Sequence, residues 1–149
     1  CLCPPGAVQK YMNKISGPLL DRIDIQIEIV PVPFEKISIQ TPSEPSAHVR
    51  ERVIKARAIQ EERFKAHPGI YCNAQMETKQ LHQYAIPDAA GMQLLKQAMT
   101  RLSLSARAYD RILKVSRTIA DLDGAEKIET PHLAEAIHYR NLDREGWGT

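Results

Sequence analysis

The chain has 149 residues, 43% hydrophobic and 26% charged, as in an ordinary soluble globular protein of one domain, or one domain and a fragment. Its net charge of +2 falls short of the strongly basic balance that by itself indicates a nucleic acid or membrane partner. Three cysteines, with no secretory signal and no apolar run of transmembrane length, predict a cytoplasmic protein without membrane contact. Because the chain starts at Cys1 rather than Met, we expect it to belong to something longer.

Residues 1–30 are predicted to form a helix, a short helical turn and a strand. Apolar side chains recur at helical spacing at Val8, Tyr11, Met12 and Ile15. Ser16 and Pro18 then suit the start of a short turn. Four isoleucines follow at a spacing of two, which puts them on one face of a strand: Ile23, Ile25, Ile27 and Ile29. A lone strand is not stable in water, so its sheet is expected in residues absent from this chain or in the linker that follows.

Residues 31–45 are predicted to be a linker, because proline excludes regular helix and four occur here: Pro31, Pro33, Pro42 and Pro45. From 46 to 142 the sequence predicts a bundle of about four or five helices, and 143–149 a tail. The long first helix carries an apolar side of Val49, Val53, Ala56 and Ile59. Asp88 and Ser105 are predicted caps. The helix after Ser105 is expected to bury Tyr109, Ile112, Leu113, Ser116, Ile119 and Ala120. The fold is therefore predicted to be mainly α.

Arg107 is the most unusual charged residue of the predicted bundle. It lies in the first turn after Ser105, where the positive end of the helix dipole disfavours a cation by some tenths of a kcal/mol. A bound anion would reverse that preference, and free backbone N–H groups with a guanidinium suit a phosphate. The alternative, which periodicity alone favours, is a solvated face with Arg107 paired to a nearby acid.

Arg22 lies between Asp21 and Asp24, where the short turn passes into the isoleucine segment. A turn fixed at both ends holds a side chain rigidly, as an electrostatic contact to a transition state requires. The alternative is that Arg22 forms a surface ion pair with these acids.

Other motifs carry less chemistry. Cys1 and Cys3 are close enough in sequence to share a metal ion, but a four-ligand site needs two more ligands, and unpaired thiols are the alternative. No Gly-x-x-x-x-Gly-Lys occurs, so the phosphate cradle of a P-loop is missing. The long first helix mixes its basic residues with acids and has few aromatics, which does not support a nucleic-acid patch.

Three segments resemble the closing motifs of bacterial Mg-chelatase-like AAA+ proteins of the ComM/YifB competence type. They are ISGPLLDRID at 15–24, LSARAYDRILKVSRTIADL at 104–122 and HLAEAIHYR at 132–140. The resemblance covers nearly the whole chain, with looser matches in the linker and at 67–87. It implies that residues 1–30 end an AAA+ core, as a helix-strand remnant, and that 46–142 form its helical lid.

The resemblance also implies roles. Arg22 would be the arginine finger, the catalytic residue directed at a neighbouring subunit's ATP, and Arg107 the sensor 2 arginine that contacts nucleotide. Partners would be ATP with Mg²⁺, further copies in a ring, commonly a hexamer, and DNA. Cys1 and Cys3 resemble half of a cysteine cluster, which implies zinc in the parent protein. Without Walker A and B, the chain alone is expected to be inactive.

Three functions follow as hypotheses. The first is a DNA-processing motor for branch migration or competence. The second is the ATPase motor subunit of a magnesium chelatase, which inserts magnesium into a porphyrin. The third is a helical interaction module without chemistry. The ring size, and whether Arg107 acts on its own subunit's nucleotide or a neighbour's, are left open by the sequence, as is the order of the strand without its sheet.

Overall fold

The computed structural model describes residues 4–27, 29–34 and 43–140, and it is mainly helical, as predicted. We number the helices α1 (Pro5–Met12), α2 (Gly17–Leu20), α3 (Ser46–Phe64), α4 (Thr78–Tyr84), α5 (Ala89–Arg101), α6 (Ala106–Leu122) and α7 (Thr130–His138). A short 3-10 helix at Asn73–Gln75 lies between α3 and α4. Cys1, Cys3 and the predicted tail lie outside the described residues, as does most of the predicted linker.

α6 is the central helix of the bundle. It packs against α7, the end of α3, α4 and the 3-10 helix, while α5 packs against α7. Its buried positions follow the helical period, since Ile112, Leu113, Ser116 and Ala120 are buried as predicted, while Tyr109 and Ile119 are only partly buried. The core that these helices share comprises Phe64, Met76, Leu81, Ala85, Leu95, Ile112, Leu113, Ala120, Ile128, Leu133 and Ala136.

Local chemistry fixes where α5 and α6 begin and where α6 ends. The side chain of Asp88 accepts a hydrogen bond from the Gly91 backbone at 2.7 Å, and that of Ser105 accepts one from the Ala108 backbone at 3.1 Å. These bonds satisfy backbone donors that have no partner within the helix. After α6, Gly124 adopts a φ of 69°, a left-handed conformation that glycine takes without strain. Both predicted caps are confirmed.

The expected apolar side of α3 is wrong for most of its length. Ala56 is buried, but Val49, Val53 and Ile59 are 40%, 47% and 38% exposed. The buried residues of α3 lie in its last three turns, and residues 46–55 are all exposed. The reason is that only the C-terminal part of this 19-residue helix meets α6, so its first half projects beyond the bundle.

The isoleucine segment does not form a strand in this structure. Exposure rises along it, from 40% at Ile23 to 90% at Ile29, and the described backbone from 21 to 33 has no ladder. A backbone bond links it to the helical bundle, because the Gln26 N–H donates to the Tyr139 carbonyl at the end of α7, at 3.0 Å. No second strand among the described residues is present to pair with it, which is the physical reason that the predicted strand is absent.

Candidate functional site

Arg22 lies in a hydrogen-bonded turn directly after α2. The Arg22 and Ile23 backbone N–H groups donate to the Leu19 and Leu20 carbonyls, each at 3.0 Å. These bonds continue the helical turn of α2 by one step and fix the backbone on both sides of the arginine. The Arg22 side chain itself is exposed.

The two acids that flank Arg22 contact other residues. Asp21 accepts hydrogen bonds from the Ser105 hydroxyl at 2.8 and 2.9 Å and lies 3.5 Å from the Arg140 guanidinium. Asp24 forms an ion pair with Arg111 of α6. Within the described parts of the chain, Arg22 has no hydrogen bond or ion pair from its side chain. The structure therefore lacks the ion pair between Arg22 and its flanking acids that was the alternative from sequence.

Arg107 is exposed in the first turn of α6, two residues after the Ser105 cap. A hollow of about 250 Å³ lies beside it, between α2 and the loop that precedes α6, and Asp21 and Ser105 also line it. Among the residues described, Arg107 has no side-chain partner. The site therefore presents a guanidinium and the positive end of a 17-residue helix on the same side of the domain.

Two further basic residues of α6 have partners elsewhere in the chain. Arg111 pairs with Asp24, and the Lys114 ammonium group donates to the Ala74 carbonyl at 2.9 Å. Only Arg107 among these three cations has no hydrogen bond or ion pair from its side chain inside the described chain.

A buried arginine network, absent from the sequence-based predictions, lies at the other end of α6. The Asp121 carboxylate is fully buried and bonds Arg63 at 2.5 and 2.7 Å, Asn73 at 2.7 Å and Arg117 at 3.0 Å. Arg117 also donates to the Ala125 and Glu126 carbonyls. Burial lowers the pKa of the Arg117 guanidinium, and the charge of Asp121 opposes that effect. This network is structural, since its donors and acceptors are used within the domain.

The spacing of Arg117 and Asp121, four residues apart on a helix, is the one sequence signal that could have indicated part of this network. Arg63 is 58 residues from Asp121, so no local pattern connects them.

The structure does not test the predicted metal site, because Cys1 and Cys3 lie outside the residues it describes. Elsewhere in the described chain, no group of three or more His, Cys, Asp or Glu side chains could hold a metal ion. Both ring nitrogens of His132 have partners within the domain: its Nδ1 accepts a hydrogen bond from the Glu129 backbone N–H at 3.0 Å, and its Nε2 lies 3.1 Å from Asp123.

None of the helices described here is long and apolar enough to cross a membrane.

Two family models match the chain. Residues 43–140 match "Magnesium chelatase, subunit ChlI C-terminal", and residues 1–37 match "Magnesium chelatase, subunit ChlI". The chain therefore belongs to the Mg-chelatase-like AAA+ family, which confirms the family predicted from its motifs.

Individual relatives agree with this assignment. The chain is 43% identical over 141 residues to Competence protein ComM of Haemophilus influenzae, a match that covers 94% of this chain. It is 40% identical over 144 residues to the protein YifB of Salmonella typhimurium and 33% identical over 140 residues to a protein of Mycobacterium bovis, with 95% and 94% of this chain covered. The chain spans 27% of the length of each of these relatives.

Proposed function

We propose that this chain supplies two arginines to ATP hydrolysis by a ring-forming AAA+ ATPase. Arg22 is the arginine finger directed at the ATP of a neighbouring subunit, and Arg107 is the sensor 2 arginine. The observation that carries the proposal is that both guanidinium groups are exposed and have no partner within the described residues, although acids flank Arg22. A ligand that brings phosphate oxygens would give both a partner.

The surroundings of Arg22 suit a catalytic electrostatic role. Its backbone is fixed by the bonds to Leu19 and Leu20, and its flanking acids are held by Ser105, Arg111 and Arg140. The guanidinium can therefore approach a phosphoryl group without first breaking an ion pair. A finger of this kind neutralises charge on the transferring phosphoryl group and accelerates hydrolysis by about 10³–10⁵-fold.

Arg107 suits binding of phosphate rather than a bond-making role. A cation in the first turn of a helix is unfavourable by about 0.3–1 kcal/mol, and a phosphate beside it changes that sign. Asp21 lines the same hollow, but it accepts bonds from Ser105 and lies beside Arg140, which reduces its repulsion of an anion. The nucleotide would be ATP with Mg²⁺, whose phosphates Arg107 would contact.

For the whole protein we propose a DNA-processing motor, commonly hexameric, acting in branch migration or competence. The similarity to a competence protein supports this choice. The second candidate is the motor subunit of a magnesium chelatase, which the description of the matching family models favours. Zinc binding by Cys1 and Cys3, and a cytoplasmic location, remain predictions.

The test is ATP turnover of the full-length protein that carries this chain, with and without branched DNA. Arg22→Ala is expected to lower kcat by about 10³-fold or more. Arg107→Ala is expected to lose activity as well. Mixing Arg22→Ala with a variant that lacks the phosphate-binding lysine of its P-loop should restore turnover, because each subunit type then supplies what its neighbour lacks.

Arg50→Ala is the matched control, since Arg50 is an exposed arginine of α3 without a side-chain partner in the described chain. The ATP turnover of this variant should be unchanged. Normal hydrolysis by Arg22→Ala would show that the finger assignment is wrong. If branched DNA does not stimulate turnover and the protein inserts magnesium into a porphyrin, the proposed DNA motor is wrong and the chelatase subunit is the function.

A further inference from the structure

The segment that carries Arg22 is attached to the start of α6 and to the residues directly after α7. We call these attachments the docking contacts: Asp21 with Ser105 and Arg140, Asp24 with Arg111, and the backbone of Ile23 and Gln26 with Arg140 and Tyr139. Their partners lie at the start of α6 and directly after α7. A short turn is thus held by residues far away in sequence.

Arg140 anchors one side of these contacts from inside the domain. Its side chain is 1% exposed, and its guanidinium donates to the Ile23 carbonyl and lies 3.5 Å from Asp21. A buried charge requires acceptors close by, and the Ile23 carbonyl and Asp21 of the Arg22 turn are two of them. The turn is therefore attached to the helical domain. The Gln26 N–H, bonded to the Tyr139 carbonyl, fixes the end of the same turn.

Ser105 and Arg111 hold the other side. The Ser105 hydroxyl caps α6 by accepting from the Ala108 N–H and also donates to Asp21, so one side chain connects the Arg22 turn with the helix start that carries Arg107. One turn further along α6, Arg111 pairs with Asp24. The backbone segments that carry Arg22 and Arg107 are therefore linked to each other by contacts of the residues that flank Arg22.

We propose that Asp24 and Arg111, together with Asp21 and Ser105, are positioning residues that couple Arg22 to α6, so that a movement of the lid at its nucleotide moves the arginine finger. This inference rests on the proposed function. The contacts transmit movement whether Arg107 serves its own subunit or a neighbour, because they link the two arginines within one chain.

The test measures ATP turnover by the full-length protein with Asp24→Asn, Arg111→Gln and the double variant. A partly exposed ion pair contributes little, so each single variant is expected to lower kcat by only about fivefold. KM for ATP should stay within about twofold, because neither residue contacts nucleotide in the proposal. The double variant should fall no further than either single one, whereas independent effects would multiply to about 25-fold.

The loss should also act on the neighbour. Asp24→Asn subunits mixed with subunits that lack the phosphate-binding lysine should regain kcat, because the latter supply a correctly held Arg22. Glu44→Gln is the matched control: it breaks the exposed pair of Glu44 and Arg52, remote from Arg22 in sequence, and should leave kcat unchanged. Asp24→Glu, which keeps the charge, should retain activity.

Four results would overturn the inference: unchanged kcat in Asp24→Asn, multiplying effects in the double variant, a loss that mixing does not restore, or a loss confined to KM. The proposed function fails separately, when Arg22→Ala is active. An inactive Arg22→Ala beside fully active Asp24→Asn and Arg111→Gln would retain the finger and remove the coupling.

Discussion

Two pairs of arginines in this chain have opposite surroundings. Arg63 and Arg117 have side chains 12% and 3% exposed and share the fully buried Asp121. Arg22 and Arg107 are exposed and have no side-chain partner in the part of the chain that the structure describes. Pairing and burial therefore separate an arginine that stabilises the fold from one available to a ligand.

Asp121→Ala should produce the largest change in stability. Removing one partner of a buried ion pair leaves Arg63 and Arg117 without their shared counter-charge and should lower the free energy of unfolding of the helical domain by about 3–5 kcal/mol. Urea unfolding followed by circular dichroism measures this. Glu44→Ala, which breaks an exposed pair, should cost no more than about 1 kcal/mol. Equal losses for the two variants would contradict the division between buried and exposed pairs.

Ser105→Ala should have an intermediate effect. It removes the side-chain cap of α6 and the bond to Asp21, and cap loss typically costs about 0.5–2 kcal/mol. Thr100→Ala is a matched control, because it removes an exposed hydroxyl that donates to the Lys96 carbonyl of its own helix. Thermal unfolding compares the two. A Ser105→Ala protein as stable as Thr100→Ala would mean that the cap contributes nothing.

Arg107→Ala should have the smallest effect on stability, and of the opposite sign. Removing a cation from the first turn of α6 should raise the free energy of unfolding by about 0.3–1 kcal/mol. Arg101 lies in the last turn of α5, where the dipole favours a cation, so Arg101→Ala should lower stability. Urea unfolding of both variants at low salt tests the difference in sign. A clear destabilisation by Arg107→Ala would mean that Arg107 serves the fold.

The sequence predicted those features that depend on neighbours along the chain. The α6 face and the caps at Asp88 and Ser105 follow from helical period and local hydrogen bonding, and the structure has them. The same period predicts an apolar side of α3 at Val49 and Val53, which are 40% and 47% exposed. Period identifies the face of a helix, but it does not say which turns meet a partner.

The candidate site likewise contains residues that the sequence predicts and contacts that it does not. Arg22 and Arg107 were found from the resemblance and from an unfavourable charge position. The partners of the acids beside Arg22 were not, since Ser105 is 84 residues from Asp21 and Arg111 is 87 residues from Asp24. Whether the isoleucine segment forms a strand also depends on distant residues, because a strand needs other strands to pair with.

Burial of side chains increases along α3 from its projecting N-terminal half to its C-terminal end. Residues 46–55 bury no side chain, and a helix shorter than about 12–15 residues is marginal in water without tertiary contacts. The tertiary contacts of α3 are concentrated in the last turns, where Ala56, Gln60 and Phe64 are buried. Amide hydrogens near Val49 should exchange with solvent faster than those near Phe64, and limited proteolysis should cut first in the projecting half.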